Sequence, residues 1–443
     1  MTCAVSGFLA EKAQRKYAKR KKNTKLMEEY AGRLVNYSEA LLHLGKDAKA
    51  FANAQTAFKL FKQLYDKNQK RFSFNYSISL NNISNRLSDA GRYEEALCHD
   101  KKALEIRQRL SQKNPDQYEP KYASSLINHA SNLSNTGRYK EALCHDEKAL
   151  EIYQQLVLKK PGRYEPEYAI LLNNISSHLS DAGQYEEALT RAGQALEIHK
   201  QLARKNPDRH EPDYAMSLNN ISSHLSDAGQ YEEALTRAGQ ALEIHKQLVR
   251  KKSDRYEPDY SISLSNYAGH LNDAGRHEEA LNHAEQALEI YQKLAQKNPE
   301  RFAPDNFSSI CEVFFLAWLI NPANPEGSSA ELPVVPTTVL PHQYLKLQFY
   351  KNFFQACCAS GQTGQNDRFR QVIASWEKLL SADKINNQGY WLCVAAWCAA
   401  FSPEIIADTN WLASWKKFKE QRQGRIPAWM QKTAENLSFK WPE

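Results

Sequence analysis

Leu80–Leu97 reads LNNISNRLSDAGRYEEAL, and the chain returns to that text every 46 residues. Leu126–Leu143 reads LINHASNLSNTGRYKEAL, Leu172–Leu189 reads LNNISSHLSDAGQYEEAL, and Leu264–Leu281 reads LSNYAGHLNDAGRHEEAL. Leu218–Leu235 repeats the third copy letter for letter, and the identity continues over 31 residues, Leu172–Leu202 against Leu218–Leu248, the mark of a recent duplication. Glycines fall at Gly91, Gly137, Gly183, Gly229 and Gly275. One step back lies Gly45, inside LVNYSEALLHLGKDAKAF, a sixth and more diverged copy; one step forward, at Asn321, the pattern stops.

Each copy reads as two helices. Leu80, Ile83 and Leu87 are spaced i, i+3, i+7, one apolar stripe on a first helix. Gly91 ends that helix, because glycine takes the left-handed conformation without penalty. Tyr93-Glu94-Glu95 opens a second helix with acids where its dipole favours them. Ala96 and Ala103 stand seven apart on it, as do Ala50/Ala57, Ala142/Ala149, Ala188/Ala195, Ala234/Ala241 and Ala280/Ala287. Small residues two turns apart let a neighbouring helix come close. The link KNPDQYEP places its second proline, Pro120, in the first turn of the next helix. One copy has too small an apolar stripe to be stable alone, so the copies must stack.

These residues resemble the tetratricopeptide repeat (TPR). Leu80, Ile83-Ser84, Leu87, Gly91, Tyr93, Ala96 and Ala103 fill the family's places. Leu stands for the opening Trp, Ser or Ala for the small Gly, and Leu for the aromatic. The period is 46 against about 34 in the standard unit. Kinesin light chain is similar in its long units and its LNN start, and bacterial signalling proteins that carry such arrays look alike too. The resemblance covers about residues 27–305 and implies an all-α fold: a right-handed superhelix, an α-solenoid with a helical C-terminal cap. It also implies that the first helices line a concave groove and that the array is a non-catalytic scaffold.

The residue nine before the glycine is Asn in all six copies: Asn36, Asn82, Asn128, Asn174, Asn220 and Asn266. A carboxamide offers two donors and an acceptor, so a ladder of them suits the backbone of an extended peptide. The other reading has each Asn bonding a neighbouring backbone between stacked helices. Asn81, Asn173 and Asn219 are further polar groove positions. Asp89, Asp181, Asp227 and Asp273 sit two before the glycine, in a last turn whose dipole they oppose. A row of carboxylates favours a ligand with spaced Lys or Arg; the alternative is that each Asp bonds the turn.

The rest of the chain bounds the function. The net charge of +7 comes from Glu11–Lys25, which holds eight basic residues against one acid. Lys16, Lys19, Arg20, Lys21 and Lys22 there are candidates for a phosphate contact, although Tyr17 is its one aromatic. All eight tryptophans lie beyond residue 317. The expected organisation is a basic segment over 1–26, six repeats over 27–305, a degenerate helix and Pro-containing linker over 306–341, and a Trp-rich helical module over 342–443 that covers the end of the array. No phosphate loop, Rossmann glycine run or HExxH appears, so no catalytic residue, cofactor or metal is expected. The longest apolar run, Cys311–Ile320, is too short to span a bilayer. The opening MTCAVSGFLA has its apolar run before the basic residues, the reverse of a secretory signal, so the eight cysteines read as thiols of a cytoplasmic protein. The expected partner is a protein or peptide in the groove. A regulatory subunit of a bacterial signalling or antiviral complex is the first alternative, and a nucleic-acid contact through the basic segment is the second.

Overall fold

The turn glycine sets the geometry of every repeat. Gly91, Gly137, Gly183, Gly229 and Gly275 all have φ between +69° and +82°, and the chain closes around each as a left-handed helix cap. At Gly91 the Arg92 N–H reaches back to Leu87 O at 2.8 Å. The computed structural model describes residues 3–20, 23–42, 44, 46–321, 348, 349, 351–353, 355, 356, 369–375, 378, 388–401, 411–422 and 424–442. Gly45, Lys21, Lys22, Cys357, Cys358 and the Pro-containing stretch after Asn321 lie outside them. Every regular element among the described residues is an α-helix, and none is long and apolar enough to cross a membrane. This is an all-α solenoid of helices that pack on their chain neighbours.

Helix length explains the period. α4 (Gln69–Asp89) and α5 (Tyr93–Lys113) each have 21 residues. A three-residue turn and Asn114 complete the 46 before α6 (Pro115–Asn135) begins. The added length therefore lies in both helices. The link holding Pro115 and Pro120 is already helix: Pro115 is the first residue of α6 and Pro120 lies inside it. Proline at the first position is preorganised for a helix, so the helix starts one proline earlier than the sequence suggests.

The chain divides into two compact bodies, Met1–Asn174 and Ile175–Glu443. In the first, α1 (Cys3–Lys19), α2 (Thr24–Leu42), α3 (Asp47–Lys67), α4, α5, α6 and α7 (Tyr139–Lys159) each pack on the next. α8 (Glu165–Asp181) holds the division between the bodies. In the second, the same order runs through α9 (Tyr185–Lys205), α10 (Pro207–Asp227), α11 (Tyr231–Lys251), α12 (Ser253–Asp273), α13 (His277–Lys297) and α14 (Pro299–Ile320).

Both alanines of each pair are completely buried, Ala96 and Ala103 being typical at 0% exposure. The small residue of the first helix bonds the partner helix at that point. Ser84 Oγ donates to Ala96 O at 3.1 Å, and Ser38 Oγ to Ala50 O at 2.8 Å. The second body carries its own apolar core. Trp318, Phe315, Phe349, Phe353, Trp415 and Met430 pack there with Leu235, Ala268 and Leu271 of the repeats. Three C-terminal helices, Gln388–Phe401, Trp411–Gln421 and Ala428–Asn436, contribute to it. Trp415 stacks on Trp441 with ring centroids 4.3 Å apart.

Ala50→Leu overpacks the closest helix contact and is expected to cost about 1–3 kcal/mol. Ala52→Leu, two residues on and exposed, changes the same residue types on the same helix and should stay within about 0.5 kcal/mol. Urea denaturation of both variants measures the difference.

Candidate functional site

The first helices present one polar stripe with an apolar member. On α10, Met216, Asn220, Ser223 and Asp227 are spaced 4, 3 and 4 apart and so share a face. On α12 the same face carries Ile262, Asn266, Gly269 and Asp273. Met216 is 45% and Ile262 47% exposed, large values for apolar side chains inside a packed array. Ile170, four before Asn174 on α8, is 41% exposed. All three stand thirteen residues before the turn glycine. Sequence reasoning missed them, although that recurrence was there to find. It credited apolar residues of the first helix to the core.

The six asparagines do not share one environment. Asn36 is exposed, while Asn174, Asn220 and Asn266 are half-buried. Asn128 donates from Nδ2 to Asn85 Oδ1 at 3.2 Å, from one first helix to the preceding one. Asn82 is buried, and its Oδ1 has no hydrogen-bond partner.

The asparagine one place earlier holds the array together. Asn81 Nδ2 donates to Ser125 Oγ at 3.0 Å, and Asn219 Nδ2 to Ser263 Oγ at 2.8 Å; Asn173 is likewise buried. A residue of the second helix completes each clasp. Arg107 donates from Nη1 to Ser125 Oγ at 2.7 Å and to Lys121 O at 2.8 Å. Burial pushes its pKa down to about 10, against the pull of Asp100. His245 Nδ1 lies 2.6 Å from Ser263 Oγ, and His199 Nδ1 2.6 Å from Ser217 Oγ. Ser263 thus accepts from Asn219 and shares a hydrogen bond with His245. His224 pairs with Ser176, and His270 with Ser222, each at 3.0 Å. The histidines that recur with the repeat are thus joints between stacked helices.

The carboxylate row has a further set of partners. Asp89 is exposed and pairs with Arg86 at 3.2 Å; Asp181 is exposed. Asp227 Oδ2 accepts from Ser180 at 3.2 Å, and its Oδ1 faces Arg422 Nη2 at 3.4 Å. Burial raises the Asp227 pKa, and Arg422 opposes that rise. Asp273 accepts from Ser226 at 2.6 Å and from Trp429 Nε1 at 3.1 Å. Arg422 and Trp429 belong to the C-terminal segment, and nothing in the repeat pattern points to them. Lys16, Lys19 and Arg20 are exposed on or just after α1, with Lys16 Nζ 3.9 Å from Glu29.

The family model for the tetratricopeptide repeat matches residues 122–201, 167–247 and 213–293, and a second model described in the same words matches 78–116. This chain is a tetratricopeptide-repeat protein. Such an array serves protein interaction or regulation. No curated protein matches it. Among solved structures it is similar to the apo form of RapI at 15% identity, with 86% of this chain and 95% of that chain covered and a TM-score of 0.55. It is similar to aspartyl phosphate phosphatase F from Bacillus subtilis at 14% identity, with 87% and 95% covered and a TM-score of 0.53. A Rap protein complexed with competence and sporulation factor shares 16% identity, with 92% and 99% covered and a TM-score of 0.50. At these identities the likeness is one of fold.

The buried histidines make the tetratricopeptide array pH-sensitive. Burial pushes His224 and His245 down to about 4 from the ordinary 6.5. The unfolded chain therefore binds more protons between those values, and stability falls as pH drops through 6.5 toward 4. The urea midpoint is expected to be lower at about pH 5 than at about pH 7, and His224→Gln with His245→Gln should flatten that slope. Ser263→Ala leaves Asn219 and His245 without their shared partner and is expected to cost about 1–3 kcal/mol at neutral pH.

Proposed function

We propose that this protein is a non-catalytic scaffold whose first-helix face binds an extended segment of a partner protein. One observation carries the reading: exposed Met216 and Ile262 lie one helical turn from half-buried Asn220 and Asn266 on the same faces. An extended chain presents side chains and backbone amides alternately. It meets an apolar contact from Met216 or Ile262 and an amide from Asn220 or Asn266 on each helix. Burying a side chain such as Met216 or Ile262 contributes about 1.5–3 kcal/mol, more than one neutral hydrogen bond at about 1 kcal/mol. The apolar members thus supply most of the affinity and the asparagines set the direction of the bound chain. In the first body the equivalent positions are the exposed Asn36 and the half-buried Asn128 and Asn174.

The fold likeness to a Rap protein complexed with competence and sporulation factor supports a ligand-binding role of this kind. A phosphate contact through Lys16, Lys19 and Arg20 rests on charge alone.

Affinity capture with the intact protein, read by mass spectrometry, tests the proposal. A partner held by the wild type should be lost from Met216→Ala/Ile262→Ala and weakened in Asn220→Ala/Asn266→Ala. The urea midpoints of both variants should stay within about 1 kcal/mol of wild type, because these side chains are not in the core. Equal recovery by wild type and both variants would refute this face as the binding surface.

A further inference from the structure

Gln421, Arg422, Arg425 and Ala428, in the C-terminal link of sequence QRQGRIPAW (421–429), lie at the turns of three successive repeats. A Cβ built on Gly183 would meet Gln421 Nε2 at 2.8 Å. One on Gly229 would meet Arg422 O at 2.8 Å and Arg425 Cβ at 3.2 Å, and one on Gly275 would meet Ala428 Cβ at 3.1 Å. By contrast, a Cβ on Gly137 would meet nothing within 4 Å. The glycines at Gly183, Gly229 and Gly275 therefore serve two ends: a left-handed turn and a bare surface for another stretch of chain.

Arginine and tryptophan read the acids beside these turns. Arg422 faces Asp227, and Trp429 Nε1 donates to Asp273. Arg425 Nη1 donates to Gly229 O at 3.1 Å, and the Tyr231 hydroxyl donates to Arg425 O at 3.3 Å. Arg422 also interacts with the hydroxyls of Tyr185 and Tyr231 and lies 4.0 Å from the centre of the Phe418 ring. The contacts made by Arg422 and Arg425 are long for charge-assisted bonds, which usually run about 2.7–2.9 Å. Gly424 and Arg425 are exposed. The buried anchors lie outside them: Trp415 and Phe418 before, Trp429 and Met430 after. Beside Arg425 and Ile426 is an open cavity of about 600 Å³, lined also by Tyr231, Glu232, Glu233 and Asp273. Arg422, whose side chain is 14% exposed, and buried Pro427 hold the link on either side of Gly424 and Arg425, so the exposed part beside the acidic space is the pair Gly424–Arg425, the stretch with the fewest buried contacts.

We propose that the turn surface at Asp227, Gly229 and Asp273 is a docking site for an arginine-bearing segment of a partner protein, and that Gln421–Ala428 is its built-in competitor. The incoming arginines enter by Glu232 and Glu233, displace Arg425 and Arg422, and take the carboxylate of Asp227. The link stays tethered at both ends, so it competes at the effective concentration of a short tether, of millimolar order. A free segment therefore binds with an affinity reduced by the fraction of time the surface is open. Asp227 and Asp273 stand at the turn ends of the faces that carry Met216 and Asn220, and Ile262 and Asn266; the two readings use different residues, so the variants that test one leave the residues of the other in place.

The test uses a fluorescein-labelled QRQGRIPAW peptide and fluorescence anisotropy with the full chain. Arg422→Glu/Arg425→Glu should bind the peptide about tenfold more tightly than wild type. Adding Asp227→Asn/Asp273→Asn to that variant should remove the gain. Equal affinity for wild type and the link variant, or a gain that survives loss of the carboxylates, would overturn the proposal. A concentration-dependent dimer of the link variant in light scattering would assign the surface to a second copy and also overturn it. Hydrogen exchange of the wild-type chain is an independent readout that needs no variant. The backbone-bonded amides of Gly424 and Arg425 should exchange faster in about 1 M than in about 0.05 M salt, since opening them requires release of the arginine–carboxylate contacts that salt screens; exchange that does not change with salt would count against the competitor.

Discussion

Alanine against backbone is the contact on which the rest of this protein depends. Where Ala50 and Ala96 meet the preceding helix, no side chain keeps the two helices apart, and Ser38 and Ser84 close the gap with a hydrogen bond to the alanine carbonyl. That close approach fixes the pairing of the two helices in a repeat. Leu80, Ile83 and Leu87 then have only one direction in which to be buried. A core filled at its centre by small residues has no room for every large one. Ile170, Met216 and Ile262 are among those left outside, which is how a stability device also produces a sticky face.

Stacking one repeat on the next adds directional bonds to apolar contact. The joints are polar and buried: Asn81 with Ser125 and Arg107, Asn219 with Ser263 and His245. Directional bonds of this kind contribute modestly to stability once desolvation is counted. They are strict about register, because a slipped helix leaves several buried groups unpaired at once. Apolar contact runs through the array, as where Leu97 packs with Ala130 and Leu133 of the next repeat, and polar contact decides the register in which that repeat sits.

The fold was legible because it is written six times. Period, turn glycines, alanine pairs and apolar stripes all recur, and errors in one copy are corrected by the others. The start of each first helix was less legible. Pro115 and Pro120 are both turn formers on their face, and only the preorganised first position of a helix reconciles them. The site was legible in part. Asparagine recurrence singles out a position, but the environments of Asn82 and Asn36 differ because their neighbouring helices differ, and those neighbours lie about 46 residues away in sequence. The repeating Ile170, Met216 and Ile262 were visible and overlooked. Arg422 and Trp429 were not visible at all, since they occur once, some 150 residues or more from the carboxylates they meet.

The duplicated segment has a consequence for addressing. The turns at Gly183 and Gly229 are spelled identically from Ser180/Ser226 to Glu187/Glu233, so their local chemistry offers a crossing strand two indistinguishable berths. Yet Gln421 lies at the first, and Arg422 with Arg425 at the second. The choice is made by the moorings: Trp415 and Trp429, sunk in the C-terminal core, set how far along the row the strand lands. Lengthening or shortening the chain between those two tryptophans would shift the berth without altering a single residue of the array.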